Sequence, residues 1–412
     1  MGLNSLVFRV NWVASLKLKR ITRESNYNHM NTPNSTPLYK QIEANLKPLF
    51  SKRIPKNVFG KSPSSVFIGK YNYPNVFAGP MVGISEQITD SDSPGKWYGL
   101  SLEKIVEHRL SLARGESVLN VKNSNNRMSL DLQDTALSLK PIDMEVFFER
   151  EPFQQVNFST YLPPMGASGK MKKFTLADNP LIPRKVISLV EEKITVSTAV
   201  HEGFQFFGDT YYLQRALSSG ALGVEKKLVP TRWSITAADD LIAKQLLTDV
   251  REFRAINEIQ LYSNTWMGNH FEIVFIPGTW EFEQFESWEP NSFWAAKANQ
   301  VEYEYEPFEG RTAYATREGG GYYAGRIACV EHLHKMQRQA RTIVLREISD
   351  EYQVPLGVFQ VRENCRAALK NKPTIFETRD ELIVELKKRL KRPIEQYTTT
   401  SRVLSQCKLT DF

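Results

Sequence analysis

REGGGYYAGRIACVEHLHKMQRQARTIVLREISDEY, residues 317–352, is the stretch on which the fold turns. Three glycines open it, and Tyr323, Ile327, Val330, Val344 and Ile348 then recur with a helical period, tracing most of one apolar face. By period alone the stretch is one long helix. Apolar runs flank it on both sides, FEIVFIPG (271–278) upstream and VPLGVFQV (354–361) downstream, and both are expected to be strands. Helices and strands without regular alternation and without a repeat make the chain α+β.

Working outward, TAADDLIAKQLLTDVREFRAINEI (236–259) is expected to be a helix with an apolar face, and MEVFF (144–148) and KITVSTAV (193–200) are expected strands. SVFIG (65–69) and NVFAG (75–79), separated by turn residues, read as a hairpin. SLEKIVEHRLSLARG (101–115) has a capping Ser101 and a closing Gly115, which predicts a helix of about four turns. A first helix is expected near 37–50, where Leu38, Ile42, Leu46 and Leu49 follow Pro37. A last one is expected in DELIVELKKRL (380–390), with Leu382, Ile383, Leu386 and Leu390 on one side.

The chain has 412 residues, long enough for two domains that each bury a core. Between 277 and 310 it turns aromatic and acidic, and a boundary is placed near 290–310. The organisation expected is a weakly ordered extension over 1–36, an N-terminal domain over 37–295, a C-terminal domain over 296–393 and a flexible tail over 394–412. With 41% hydrophobic and 24% charged residues the composition is that of a globular protein, and no run of 18 apolar residues suggests a membrane span. Three cysteines, Cys329, Cys365 and Cys407, form neither a zinc pattern nor a disulfide framework, so a reducing, cytoplasmic setting is expected.

The net charge of +7 is unevenly spread. Residues 1–29 hold Arg9, Lys17, Lys19, Arg20 and Arg23 against Glu24, or +4, leaving +3 for the rest. Met30 then opens a stretch that reads like the start of a domain, so the initiator is either Met1 or Met30. If it is Met30, the overall charge loses most of its force as an argument for DNA.

Several stretches carry candidate chemistry. GGGYYAGR (319–326) sets Gly319, Gly320 and Gly321 before a helix, where free N–H groups favour an anion, with Arg317 and Arg326 beside them. The alternative is a turn that permits close packing. His332, His334, Lys335, Arg338 and Arg341 form a basic stripe on the same expected helix, read either as a solvated face or as a DNA contact. In LVPTRWSITAADD (228–240), Thr236 and Asp239 resemble a capping box, while Arg232 and Trp233 could hold a phosphate and stack a base, or form a structural pair. No histidine, cysteine or serine pattern supports a metal site, a hydrolase elbow or any cofactor, and no catalytic residue can be named.

QCKLTDF (406–412) fits Gln-x-x-Leu-x-x-aromatic. A short 3₁₀ turn places residues three apart on one side, so Leu409 and Phe412 can enter one apolar pocket while Gln406 satisfies a polar neighbour. The pattern resembles the motif by which replication and repair proteins bind the sliding clamp PCNA.

Taken together, SPSSVFIGKYNYPNVFAGP, KKLVPTRWSITAADD, FEIVFIPGTWEFEQFESWEP, GGGYYAGRIACVEHLHKMQRQARTIVLREI and PLGVFQVRENCRAAL resemble the Nre family of archaeal DNA repair proteins over roughly residues 40–412. The resemblance implies a protein of the DNA damage response, built from an N-terminal and a C-terminal family domain and tethered to PCNA through Gln406, Leu409 and Phe412. The usual clamp motif ends in two adjacent aromatics where this chain has one. Many members begin with a cysteine-rich, zinc-finger-like segment, whereas here no cysteine precedes Cys329, so zinc is not expected. The resemblance supplies no reaction. An enzyme acting on a nucleotide or nucleic-acid phosphate, delivered by the same tail, stays open beside an interaction factor, with DNA or a nucleotide as its further partner.

Overall fold

The computed structural model describes residues 53–405 except 86–87, 89, 154–155, 291, 293–299 and 353, together with Ala44. Ala44, alone of the expected helix near 37–50, is described and is helical. The fold is α+β, as expected, with two six-stranded mixed sheets.

The first sheet has the order β1 (Asn57–Ser62), β5 (Ile142–Phe148), β6 (Ser168–Leu176), β4 (Leu112–Asn120), β3 (Asn75–Gly83), β2 (Val66–Ile68). SVFIG and NVFAG pair as the antiparallel hairpin β2–β3, and MEVFF lies in β5. Alternation sends Val58, Met144, Val146 and Phe174 to one face, where α2 (Arg127–Leu137) adds Leu132 and Ala136. α1 (Leu102–Leu110) starts at Ser101, whose side chain caps Lys104 N–H, but it ends four residues short of the expected point. Leu112–Gly115 instead open β4, because Gly115 lets the chain pass close to Gly79 and Met171.

The second sheet has the order β10 (Val301–Glu306), β9 (Glu281–Trp288), β11 (Arg341–Ile348), β8 (Asn269–Ile276), β7 (Ile259–Trp266), β12 (Thr374–Phe376). β7 and β8 turn through Met267 and Gly268, both at positive φ, as a two-residue hairpin demands. The boundary expected near 290–310 falls between β9 and β10, neighbours in this one sheet. One face is covered by α7 (Gly320–Met336) and α8 (Phe359–Ala368), backed by α6 (Thr231–Val250), α5 (Thr210–Ser218) and α4 (Val196–Phe207). The eight-residue α3 (Arg184–Glu191) flanks α4 through Leu189 and Gly203.

Four expectations are corrected. Residues 317–352 are not one helix: α7 stops at Gln337, in the left-handed conformation at φ 53°, and Arg341–Ile348 form the buried strand β11. Val344 and Ile348 are four apart, a spacing shared by a helix face and a strand face, so period could not separate them. KITVSTAV is helical from Val196, because the Thr195 side chain accepts Thr198 N–H and caps α4. VPLGVFQV leads into α8, which is buried on nearly all sides and so has no helical period to read. The capping box at Thr236 does not exist, since α6 begins five residues earlier after Pro230, and Asp239 is buried against Arg362 and Gln214.

Beyond Pro393, where a flexible tail is expected, the chain stays on the sheet as far as Ser405. Leu382, Leu386 and Leu390 of α9 (Arg379–Arg389) and its C-terminal edge, with Ile394, Tyr397 of α10 (Glu395–Thr398) and Val403 of α11 (Arg402–Ser405), cover the second face. Two buried carboxylates of the sheet fasten this layer. Glu347 accepts Lys391 N–H, Arg392 N–H and the Tyr397 hydroxyl at 2.7, 3.0 and 2.8 Å. Glu283 accepts the Ser401 hydroxyl at 2.5 Å and the N–H groups of Arg402 and Val403 at 2.7 and 3.1 Å. The amides of Arg402 and Val403 are the free amides of a helix start, where a carboxylate is favoured. Gln406, Leu409 and Phe412 lie outside the described residues, as do residues 1–36.

Candidate functional site

β10 reads VEYEYE. Its period of two sends Tyr303 and Tyr305 to the α9 side and Glu302, Glu304 and Glu306 to the α7 side. On β9, Gln284 and Glu286 share that second face, in register with Glu304 and Glu302. A helix laid over so many polar groups must come close to satisfy them, and α7 does so with glycines. A Cβ at Gly321 would lie 2.8 Å from Glu286 Oε1, and one at Gly325 would collide with Gln284 Oε1.

Arginines neutralise most of these carboxylates. Arg326 reaches Glu306 through Nε and Nη2 at 3.0 and 2.8 Å, with Asp240 at 3.4 Å, and Tyr322 donates to Glu306 at 2.9 Å. Arg311 pairs with Glu304 at 2.7 Å, and Arg346 with Glu286 at 2.7 Å. Burial alone would lower the pKa of Arg326, but Glu306, Tyr322 and Asp240 outweigh it and raise it. Glu318 is the exception. It is buried, neither oxygen has a hydrogen-bond partner among the described residues, and both amide atoms of buried Gln284 are equally unpartnered. Burial first, then Glu286 and Glu304, push the Glu318 carboxyl well above the usual carboxylate range. Such a group is suited to donating a proton.

Tyr161 seals the outer end of α7. Gly319, at φ 58°, sits where a Cβ would collide with the Tyr161 hydroxyl, and a Cβ at Gly320 would lie 3.0 Å from its ring. Arg232, in the first turn of α6, lays its guanidinium on the Tyr161 ring, Cζ 3.6 Å from the centroid. Its Nε has no partner, and it makes no ion pair among the described residues.

The fold thus brings Arg232, Gly319 and Gly320 together around Tyr161. Gly321 points inward to Glu286. Trp233 turns away to Tyr73, ring centroids 5.5 Å apart. Arg326 is 1% exposed and committed to Glu306 and Asp240, so it does not join Arg232 at an outer phosphate site. The basic stripe dissolves too. Arg341 belongs to β11 and faces Glu281, His334 pairs with Asp249, and burial, followed by Lys335, lowers the pKa of His332 to about 4. Tyr161, Gln284 and Glu318 were missed in the sequence; the alternating glutamates of β10 were the one legible sign of this face.

A separate cleft of about 700 Å³ lies between α4, α5, α7 and α8, lined by His201, Asp209, Arg215, Glu331, His334 and Arg366; of the residues singled out in the sequence only His334 reaches it, and Arg232 and the glycine turn do not. Its best-placed cation, Arg366, is held by Glu331 and Glu363 at 2.7 and 2.8 Å. Among the described residues no cluster of His, Cys, Asp or Glu is arranged to hold a metal ion, and no helix is long and apolar enough to cross a membrane. Cys329 and Cys365 are buried thiols whose pKa values are raised by that burial.

Fold and site define a two-sheet α+β protein with a buried arginine–carboxylate layer and a fastened C-terminal layer. No solved structure matches it. The chain belongs to the Nre family: the model of archaeal Nre, N-terminal, matches residues 32–295, and that of archaeal Nre, C-terminal, matches residues 306–412. It is similar to DNA repair protein NreA of Archaeoglobus fulgidus, 33% identical over 82% of this chain and 86% of that protein. It is also similar to DNA repair protein NreB of the same organism, 34% identical over 80% and 84%, and to DNA repair protein NreA of Haloferax volcanii, 33% identical over 78% and 80%.

Proposed function

We propose that this chain is a DNA repair protein recruited to the sliding clamp PCNA through Gln406, Leu409 and Phe412. The repair role rests on relatives named DNA repair proteins at about 33% identity over four fifths of the chain. The clamp reading rests on the spacing of the three residues and on what precedes them. Glu283 fastens Ser401, Arg402 and Val403 to the sheet, so the motif follows at once on a rigid support. Seven residues span at most about 24 Å, which would hold the body close to the clamp. Two apolar anchors and one polar contact suit roughly micromolar binding. Removing 406–412 should abolish clamp binding in calorimetry and leave the thermal transition unchanged; undiminished binding by the shortened chain would refute the reading.

A second reading is favoured by one observation, the unpaired guanidinium of Arg232 beside the Gly319–Gly320 turn. It makes the protein an enzyme on a nucleotide or nucleic-acid phosphate, with Glu318 as a proton donor. Stabilisation by a nucleotide that Arg232→Ala removes would support it, and no stabilisation by any nucleotide would reject it.

A further inference from the structure

The first sheet buries one face against α2; the outer face is closed at its β2–β3–β4 end, where Phe67 and Ile88 pack on Met81 and Leu112, and elsewhere is open among the described residues. The register assigns that outer face: Asn57, Phe59 and Lys61 on β1, Asp143, Glu145 and Phe147 on β5, Lys173 and Thr175 on β6, Val118 on β4 and Phe77 on β3. Large apolar side chains stand in the open there, with Phe59 69%, Val118 59% and Phe77 37% exposed. Phe153, bridged to Ser168 beyond the end of β5, adds another at 69%. Phe147 stands beside Phe59 on the neighbouring strand and directly opposite Lys173, whose Nζ lies 4.6 Å from its ring centroid.

A bulge sharpens the pattern. The pairing of β5 with β6 shifts between Phe147 and Phe148, so that Met171 and Phe174 are both buried though three residues apart. The two residues between them, Lys172 and Lys173, are therefore both turned out. Lys61 and Lys170 share the face, and none of the four lysines makes an ion pair among the described residues. Glu116 is committed to Arg114 at 2.7 Å. Asp143, Glu145 and, one residue beyond β5 and opposite Lys170, Glu149 remain, so four lysines against three carboxylates give +1.

We propose that this outer sheet face, with Phe59, Phe147 and Phe77 as stacking platforms and Lys170, Lys172 and Lys173 as phosphate contacts, binds single-stranded DNA. Exposed rings interleaved with unpaired cations suit a strand whose bases are splayed and whose phosphates run alongside. A sheet face about 24 Å across has no element that enters a groove, so a duplex, whose base faces are stacked away, does not fit it. The choice of DNA over RNA rests on the repair reading above; the recognition surface does not depend on the clamp motif.

The test is fluorescence anisotropy of the full chain with labelled 15-nucleotide oligo-dT, the matching duplex and oligo-rU, over a range of salt. Oligo-dT should bind at least tenfold more tightly than the duplex and more tightly than oligo-rU, with a log–log salt slope near −2 for three phosphate contacts. Phe59→Ala with Phe147→Ala should weaken binding at least tenfold, and Lys172→Ala with Lys173→Ala should remove about 1.4 from the slope. Phe59, Lys172 and Lys173 are exposed and Phe147 is half-buried on the outer face, so their removal leaves the core intact. Lys387→Ala with Lys388→Ala on α9 should change nothing. No binding of oligo-dT, as when residues 37–50 or a second copy occupy the face, would overturn the proposal. So would equal binding of duplex or RNA, or indifference to all four face substitutions. Deleting 406–412 should leave oligo-dT binding unchanged, so failure here and failure of the clamp reading are told apart.

Discussion

Replacing Glu318 by Gln should remove a pH dependence of stability that the wild-type chain carries. The carboxyl is buried, unpartnered and close to Glu286 and Glu304, so its folded pKa lies well above the 4.5 of an ordinary glutamate. Between 4.5 and that raised value the folded chain holds the proton and the unfolded chain has released it. The unfolded state then binds one proton fewer, and stability falls by about 1.4 kcal/mol per pH unit as pH rises through the window. The loss ends at the raised value, so by pH 6 it amounts to at most about 1.6 kcal/mol. A glutamine cannot titrate, and its fixed cost, an amide left as unpartnered as Gln284, is the same at every pH. Urea denaturation of both proteins at pH 4.5, 5.25 and 6 should therefore show the variant gaining steadily on wild type across the range, by at most about 1.6 kcal/mol. Other titrating groups, such as Asp239, are common to both and cancel. Parallel stability curves would mean that Glu318 ionises normally in the fold, and the reading of this site as a proton-holding pocket would fall with them.

Glu283→Ala should release the last described turn rather than unfold the protein. It removes the acceptor of two helix-start amides and the Ser401 hydroxyl, about 3 kcal/mol for hydrogen bonds to a charged group. Hydrogen exchange at Arg402 and Val403 should rise about a hundredfold while β11 stays protected; unchanged exchange would show that Val403 and Leu404 alone hold the segment. Gly79→Ala should cost 3 kcal/mol or more, because the new methyl would meet the Gly115 carbonyl across the β3–β4 pair and backbone cannot yield. A thermal midpoint within a degree of wild type would refute that account.

Where one local rule acted alone, the sequence was readable. The β2–β3 hairpin followed from turn residues between β-branched runs, and α9 followed from the Leu382–Leu386–Leu390 spacing; its capping box of Thr378 and Glu381 is seen in the structure alone. Where two rules gave the same spacing it was not. Arg341–Ile348 and Phe359–Ala368 are buried on nearly every side, which erases the polar face that distinguishes one period from another. Val196–Phe207 was missed because its β-branched start outweighed Thr195, the cap that decides it. At the site, Arg232 and the glycine turn were singled out separately, and what joins them, Tyr161, lies some 70 residues before one and 160 before the other.

Local pattern was enough for the β2–β3 hairpin and α9, for the family, and for the spacing of Gln406, Leu409 and Phe412. The state of each charge emerged only from contacts made in three dimensions. Arg326 and Arg232 look alike as residues, but one is enclosed by Glu306 and Asp240 and the other lies unpaired on Tyr161. Glu304 and Glu318 look alike too, and one is matched by Arg311 while the other is left without a partner. Burial and partner set the cost of a charge, and both are supplied by strands and helices far away in the chain.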